Sequence, residues 1–179
     1  MQAKWKEQTE TTHAKHMNML KMDKHSGSVL LLGDSMMERW QTTGKDLPLG
    51  NVFNAGVGGD RICNLLWRIE NGILDAGDFS RVVLMIGTND LEKTQPKALV
   101  DGISQVVGEI QKRKLPFTVY SLTPRTDIPE GKILQVNALL QEKYPSAYRC
   151  FYPKENPYYD DNVHLSRLGY EEWSKVLLN

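Results

Sequence analysis

Cysteine is scarce in this chain. Cys63 and Cys150 are its whole supply, they lie far apart, and neither has the neighbouring Cys or His spacing of a zinc site. A disulfide framework is excluded, and the two read as buried free thiols. An excess of charge of either sign is also missing: 22 Lys and Arg balance 22 Asp and Glu. Without a basic surplus there is no electrostatic motive for binding nucleic acid or an anionic membrane. No run of about 18 apolar residues occurs, so stable membrane insertion is not expected. The polar start MQAKWKEQTETTHAKHMNMLKMDKH lacks the apolar core of a secretory signal, and a cytoplasmic protein is the expectation. Internal repeats and low-complexity segments are absent as well. What remains, 40% hydrophobic and 25% charged residues in a chain of 179, suits one globular domain with a sizeable core.

The chain is organised around Val29 to Trp40. Four apolar residues, Val29 to Leu32, run into Gly33-Asp34-Ser35, after which Met36, Met37 and Trp40 recur at helical spacing. An unbroken apolar run suits a strand covered on both faces, and Gly33 suits a sharp turn at its end. Before it, residues 3–22 read as a helix with a narrow stripe of Trp5, Met17, Met19, Leu20 and Met22. His13 and His16 are read as part of its solvated face, not as a metal pair. Residues 1–27 then form a helix and linker packed on a body spanning 28–179, and the same helix is a candidate homodimer contact.

Further strands are expected at Val52–Asn54, 82–86, Phe117–Leu122 and Tyr148–Tyr152. They alternate with helices at Arg61–Asn71, from Pro96 onward, at Lys132–Lys143 and at Arg167–Leu178. Alternation of this kind implies βαβ units, hence an α/β fold with a parallel sheet and helices on both faces. The strand exits GDS, GGD and GTND then gather at one sheet edge with the loop that holds His164. That gathering changes the reading of Ser35, which alone would pass for a helix N-cap.

A serine hydroxyl needs a base beside it, and the base needs a group to orient it. Beyond Ser35 the chain has one histidine, His164. Asp161, three residues before it, is placed to hold the far ring nitrogen, with Asp160 as the neighbouring candidate. Gly59 and Ser35 offer backbone N–H donors and Asn89 a side-chain amide toward a developing oxyanion, each worth about 3 to 4 kcal/mol in such a role. Arg125, Asp127 and the loop 123–131 are read as a solvated, proline-shaped segment in preference to a pocket wall.

The residues GDS at 33–35, NAGVGGD at 54–60, GTND at 87–90 and DNVH at 161–164 resemble the four sequence blocks of the SGNH hydrolases, also called GDSL lipases or esterases. The segment NAGVGGDRICNLLWRIENGIL further resembles the subgroup of the platelet-activating-factor acetylhydrolase catalytic subunits. The resemblance implies a flavodoxin-like three-layer α/β/α sandwich with a five-stranded parallel sheet. It also implies Ser35 as nucleophile, His164 as base, Asp161 as its orienter, and Ser35, Gly59 and Asn89 as the oxyanion hole, with no metal or organic cofactor. Met36 stands where the family's name has leucine, and Arg61 where small hydroxyl residues are common, so Asp34, Met36 and Arg61 are the candidate pocket residues. The expected activity is hydrolysis of small or short-acyl carboxylic esters through an acyl-enzyme. The alternative is a non-catalytic binding module that retains the fold. A nucleotide or flavin binder lacks its glycine-rich fingerprint here, and an α/β-hydrolase would need a glycine at Met37.

Overall fold

The computed structural model describes residues 10–24, 26–155 and 158–179; Trp5 lies outside them. Five strands, β1 (Ser28–Gly33), β2 (Val52–Gly56), β3 (Phe79–Met85), β4 (Phe117–Tyr120) and β5 (Tyr148–Arg149), form one sheet in the order β2-β1-β3-β4-β5. All four pairings are parallel. The chain leaves β1 toward β2, then returns to place β3 on β1's other side. This reversal opens a crevice at the carboxyl ends of β1 and β3.

The apolar run of β1 is explained by its two covered faces. Leu30 and Leu32 enter one buried cluster and Leu31 the other; β3 repeats the pattern, with Val82 and Leu84 against Val83 and Met85. On the first face lie α3 (Ile62–Glu70), α4 (Pro96–Lys112) and α5 (Glu130–Lys143). In α4, Pro96 occupies the first turn, where its missing N–H costs nothing, and Leu99, Ile103, Val106, Val107 and Ile110 are all buried. On the second face lie α2 (Ser35–Glu38) and α6 (Arg167–Ser174). Trp173 of α6 stacks on Phe151 at 5.3 Å and meets Tyr120 edge-on at 5.5 Å, while Tyr170 donates its hydroxyl to Met36 O at 2.7 Å. The last helix therefore holds the short helix that begins at Ser35.

Helix α1 (Glu10–Lys21) packs on the first face through Met19 and through His16, which is fully buried. This corrects the solvated reading of that histidine. Trp67 of α3 meets the His16 ring edge-on at 5.1 Å. Burial, with the Arg68 charge adding to it, pushes the imidazole down from 6.5 to about 4. The thiols also differ from expectation: Cys63 is half-buried and Cys150 exposed, and neither is joined in a disulfide. Cys150 follows β5, a strand of only two residues at the sheet's edge, where no further strand among the described residues covers it. Among the described residues no helix is long and apolar enough to cross a membrane.

Candidate active site

Gly33 ends β1 for a steric reason. A Cβ built on it would lie 2.0 Å from Met85 O of β3, so the two strands close only over a glycine. Its backbone is not among the left-handed glycines, and the requirement is close approach in place of the turning freedom expected. Asp34 then caps α2, its Oδ1 accepting the Met36 N–H at 2.9 Å. The capping task falls to Asp34 and releases Ser35, whose Oγ lies 2.9 Å from His164 Nε2. Asp34 is fully buried. Burial raises its carboxyl from 3.8 to about 7 against the pull of the Met36 N–H, and the nearby Asp60 and Asp90 charges push the same way.

The histidine segment is closed on itself. Tyr159 and Leu165 form an antiparallel bridge, and Asp160 N donates to His164 O at 2.9 Å. Inside this loop Asp161 Oδ1 accepts the N–H groups of Val163 and His164, both at 2.7 Å, and Oδ2 sits 2.8 Å from His164 Nδ1. Partial burial favours the neutral acid, but the hydrogen bonds from His164 and Val163 prevail and hold Asp161 well below the usual carboxylate range. An ionised carboxylate only accepts, so Nδ1 carries the proton and Nε2 presents its lone pair to Ser35. Asp160 takes no such part; its carboxylate lies 4.0 Å from the Arg39 guanidinium.

On the other side of Ser35 stands the glycine turn. Asp60 N donates to Val57 O at 3.2 Å and Gly59 has φ +80°, the signature of a type II turn with glycine at its third position. A Cβ on Gly58 would stand 3.8 Å from Ser35 Cβ, which puts the turn against Ser35. Asn89, in the 3₁₀ turn Thr88–Asp90 after β3, donates Nδ2 to Asp60 O at 2.9 Å. That bond uses one amide hydrogen and leaves the other for a ligand. Asp90 accepts the Ile62 N–H at 3.0 Å and so caps α3.

Two of the expected pocket residues do not face a pocket. Met36 and Asp34 are fully buried, Met36 in the α2/α6 core and Asp34 beneath the turn, because the first helical turn aims them inward. Arg61 remains at the surface of the site, half-buried beside Asp90. The Arg125 loop is held more firmly than a solvated segment would be. Arg125 Nη1 donates to Thr88 O at 2.7 Å, its Nε pairs with Asp127, and Thr126 N donates to Asn162 O at 3.1 Å. It thereby ties the asparagine turn to the histidine loop and borders a cavity of about 230 Å³ next to Asp161.

Sequence reasoning missed Arg68. Fully buried, it donates to Asp60 Oδ2 at 2.7 Å, Ala55 O at 2.8 Å and Gly33 O at 3.1 Å, joining the ends of β1 and β2 to the glycine turn. The available signal was an arginine among Leu65, Leu66 and Ile69. Glu38 was missed as well; its Oε2 accepts the Gly58 N–H at 3.0 Å. Among the described residues no group of three or more His, Cys, Asp and Glu is arranged to hold a metal ion.

A hydroxyl, an imidazole and a carboxylate in one hydrogen-bonded line, flanked by N–H donors, is an arrangement suited to acyl transfer. No protein-family model matches the chain. The platelet-activating factor acetylhydrolase IB subunit alpha1 of Rattus norvegicus is 30% identical over 172 aligned residues, covering 83% of this chain and 72% of that protein. A GDSL-like lipase from Bacteroides thetaiotaomicron superposes with a TM-score of 0.78 at 18% identity, covering 93% of this chain and 94% of its own. A carbohydrate acetylesterase from Sinorhizobium meliloti superposes with a TM-score of 0.67 at 16% identity, covering 83% and 95%. The two structures share the three-layer α/β/α fold described above; the acetylhydrolase subunit adds the sequence relationship. With that relationship spanning most of both proteins, the chain belongs to the SGNH hydrolase family.

Proposed function

We propose that this protein is a serine esterase that cleaves short-acyl carboxylic esters through an acyl-enzyme. The observation that carries the reading is the line from Ser35 Oγ through His164 to Asp161, with contacts of 2.9 and 2.8 Å. Membership of a family of ester hydrolases supports the reaction class. Ser35 attacks the ester carbonyl as His164 Nε2 takes its proton, and the imidazolium is stabilised by Asp161. The tetrahedral oxyanion is met by the N–H groups of Ser35 and Gly59 and the free amide hydrogen of Asn89. His164 returns the proton to the departing alcohol, leaving the acyl group on Ser35. Water, activated by the same imidazole, then releases the acid and restores the serine.

The preference for short acyl chains rests on what lies beneath the nucleophile. Met36 and Met37 follow Ser35 and are fully buried in the α2/α6 core, so the ground under the carbonyl is filled with protein. The relatives named for acetyl esters are in keeping with this. The test is turnover of p-nitrophenyl acetate, butyrate and octanoate. The acetate and butyrate are expected to be cleaved fastest, and Ser35→Ala is expected to lower the rate by about a thousandfold or more. Undiminished turnover by Ser35→Ala would reject the proposal.

A further inference from the structure

We propose that Glu38 positions the Gly58-Gly59 turn for oxyanion binding and that Lys15, from the N-terminal helix, offsets the charge this brings into the site. The inference rests on the serine-esterase reading and adds to it two residues that do not touch the substrate. Ser35 and Glu38 are the first and last residues of α2. The Glu38 carboxylate turns back to accept the Gly58 N–H at 3.0 Å. Gly58 leaves room for it: a Cβ there would lie 2.6 Å from Glu38 Oε2. The nucleophile and the oxyanion turn are thus fastened to each other through one short helix.

The fastening matters because of where the donor sits. The Gly59 N–H belongs to the central peptide of the Val57–Asp60 turn. With glycine on both sides of that peptide, neither of its two orientations is barred by a side chain. In one orientation an N–H points toward a given spot, in the other a carbonyl oxygen. The link from Glu38 to Gly58, one residue before the donor, restrains the turn. Neighbouring contacts build the same edge: Asn54 Nδ2 donates to Met37 O at 2.7 Å, and Asn54 Oδ1 accepts the Gly56 N–H at 2.8 Å.

A carboxylate beside a developing oxyanion has an electrostatic cost. Two like charges a few ångströms apart in a partly buried site oppose each other by kilocalories. Lys15 answers this by pairing its ammonium with Glu38 Oε1, the oxygen that Gly58 does not use. The side chains are 41% and 23% exposed, so the pair is shielded from water more than a free surface ion pair is. Helix α1, whose His13 and His16 meet Trp67 of α3, thereby also supports the site.

The experiment compares kcat and KM for p-nitrophenyl acetate, with thermal unfolding of each variant. Glu38→Ala is expected to lower kcat about tenfold with KM changed less than about twofold. Glu38→Gln keeps an acceptor for Gly58 without the charge and is expected to recover most of that loss. Lys15→Met leaves the carboxylate uncompensated and is expected to lower kcat about threefold to fivefold. Adding Glu38→Gln to Lys15→Met is expected to restore kcat, which loss of packing alone would not do. Wild-type kcat in Glu38→Ala, equal losses in Glu38→Ala and Glu38→Gln, or a double variant no faster than Lys15→Met would each overturn the proposal. If Glu38→Ala does not fold, the comparison of Lys15→Met with the double variant decides. Ser35→Ala runs alongside: if it stays active the esterase reading fails, whereas its loss with an unaffected Glu38 series removes only this inference.

Discussion

Asp161 spends both carboxylate oxygens on the segment that follows it, one on two backbone N–H groups and one on the imidazole. The same side chain therefore shapes the loop and sets the tautomer of His164. Asp161→Asn is nearly the same size but differs in what it offers. If its amide NH2 faces Nδ1, the ring must carry its proton on Nε2, which then has no lone pair to offer Ser35. A fall in kcat of about 10³ to 10⁴ with a small change in KM is expected from steady-state kinetics on p-nitrophenyl acetate. A drop of only a few fold would mean that another group orients the ring. Ser35 shows the reverse economy: because Asp34 takes the cap, the serine has no structural duty at the helix start.

At the scale of elements, the glycine turn is held from below by α3. Arg68 reaches out of that helix to the carbonyls that end β1 and β2 and to the Asp60 carboxylate, all out of water. Such a pair contributes little net energy as a whole, yet losing one half leaves a buried charge without its counter-charge. Arg68→Met is expected to destabilise the fold by about 3 to 5 kcal/mol in urea unfolding. Adding Asp60→Asn to it is expected to recover part of the loss; an unchanged midpoint in Arg68→Met would show that the pair is not holding these ends. The tie to the candidate site is direct, since Asp60 follows Gly59 and its carbonyl receives Asn89.

Across the whole molecule, two buried titratable groups pull stability in opposite directions with pH. His16 is depressed from 6.5 to about 4, so as pH falls through that interval the unfolded chain binds a proton the folded one refuses, and stability is lost. Asp34 is raised from 3.8 to about 7, so as pH rises through that interval the unfolded chain ionises first, and stability is again lost. Between about pH 4 and 6.5 the two slopes oppose each other. Asp34→Asn, whose side-chain oxygen still accepts the Met36 N–H, is expected to leave a protein that loses stability on acidification more steeply than the wild type. His16→Leu is expected to tilt the curve the other way. Urea unfolding at several pH values in that window checks both signs, and parallel curves for the two variants would refute the assignment.

The local pattern of the chain determined the sheet, the helices and the four polar blocks, because alternation of apolar runs and turn residues is a property of neighbours. Val29 to Leu32, the α4 stripe from Leu99 to Ile110, and the pairing of Ser35 with His164 by elimination were legible in this way. Only the tertiary structure decided what depends on residues far apart in the chain. It gave the helix cap to Asp34, sank Met36, His16 and Arg68 into the interior, and shortened β5 to two residues at the sheet's edge. It also brought Lys15 to Glu38 and Glu38 to Gly58, contacts between separate elements that no local window contains. Burial and reach are set by what the rest of the chain places alongside a residue, and that exists only once the sheet has closed around the site.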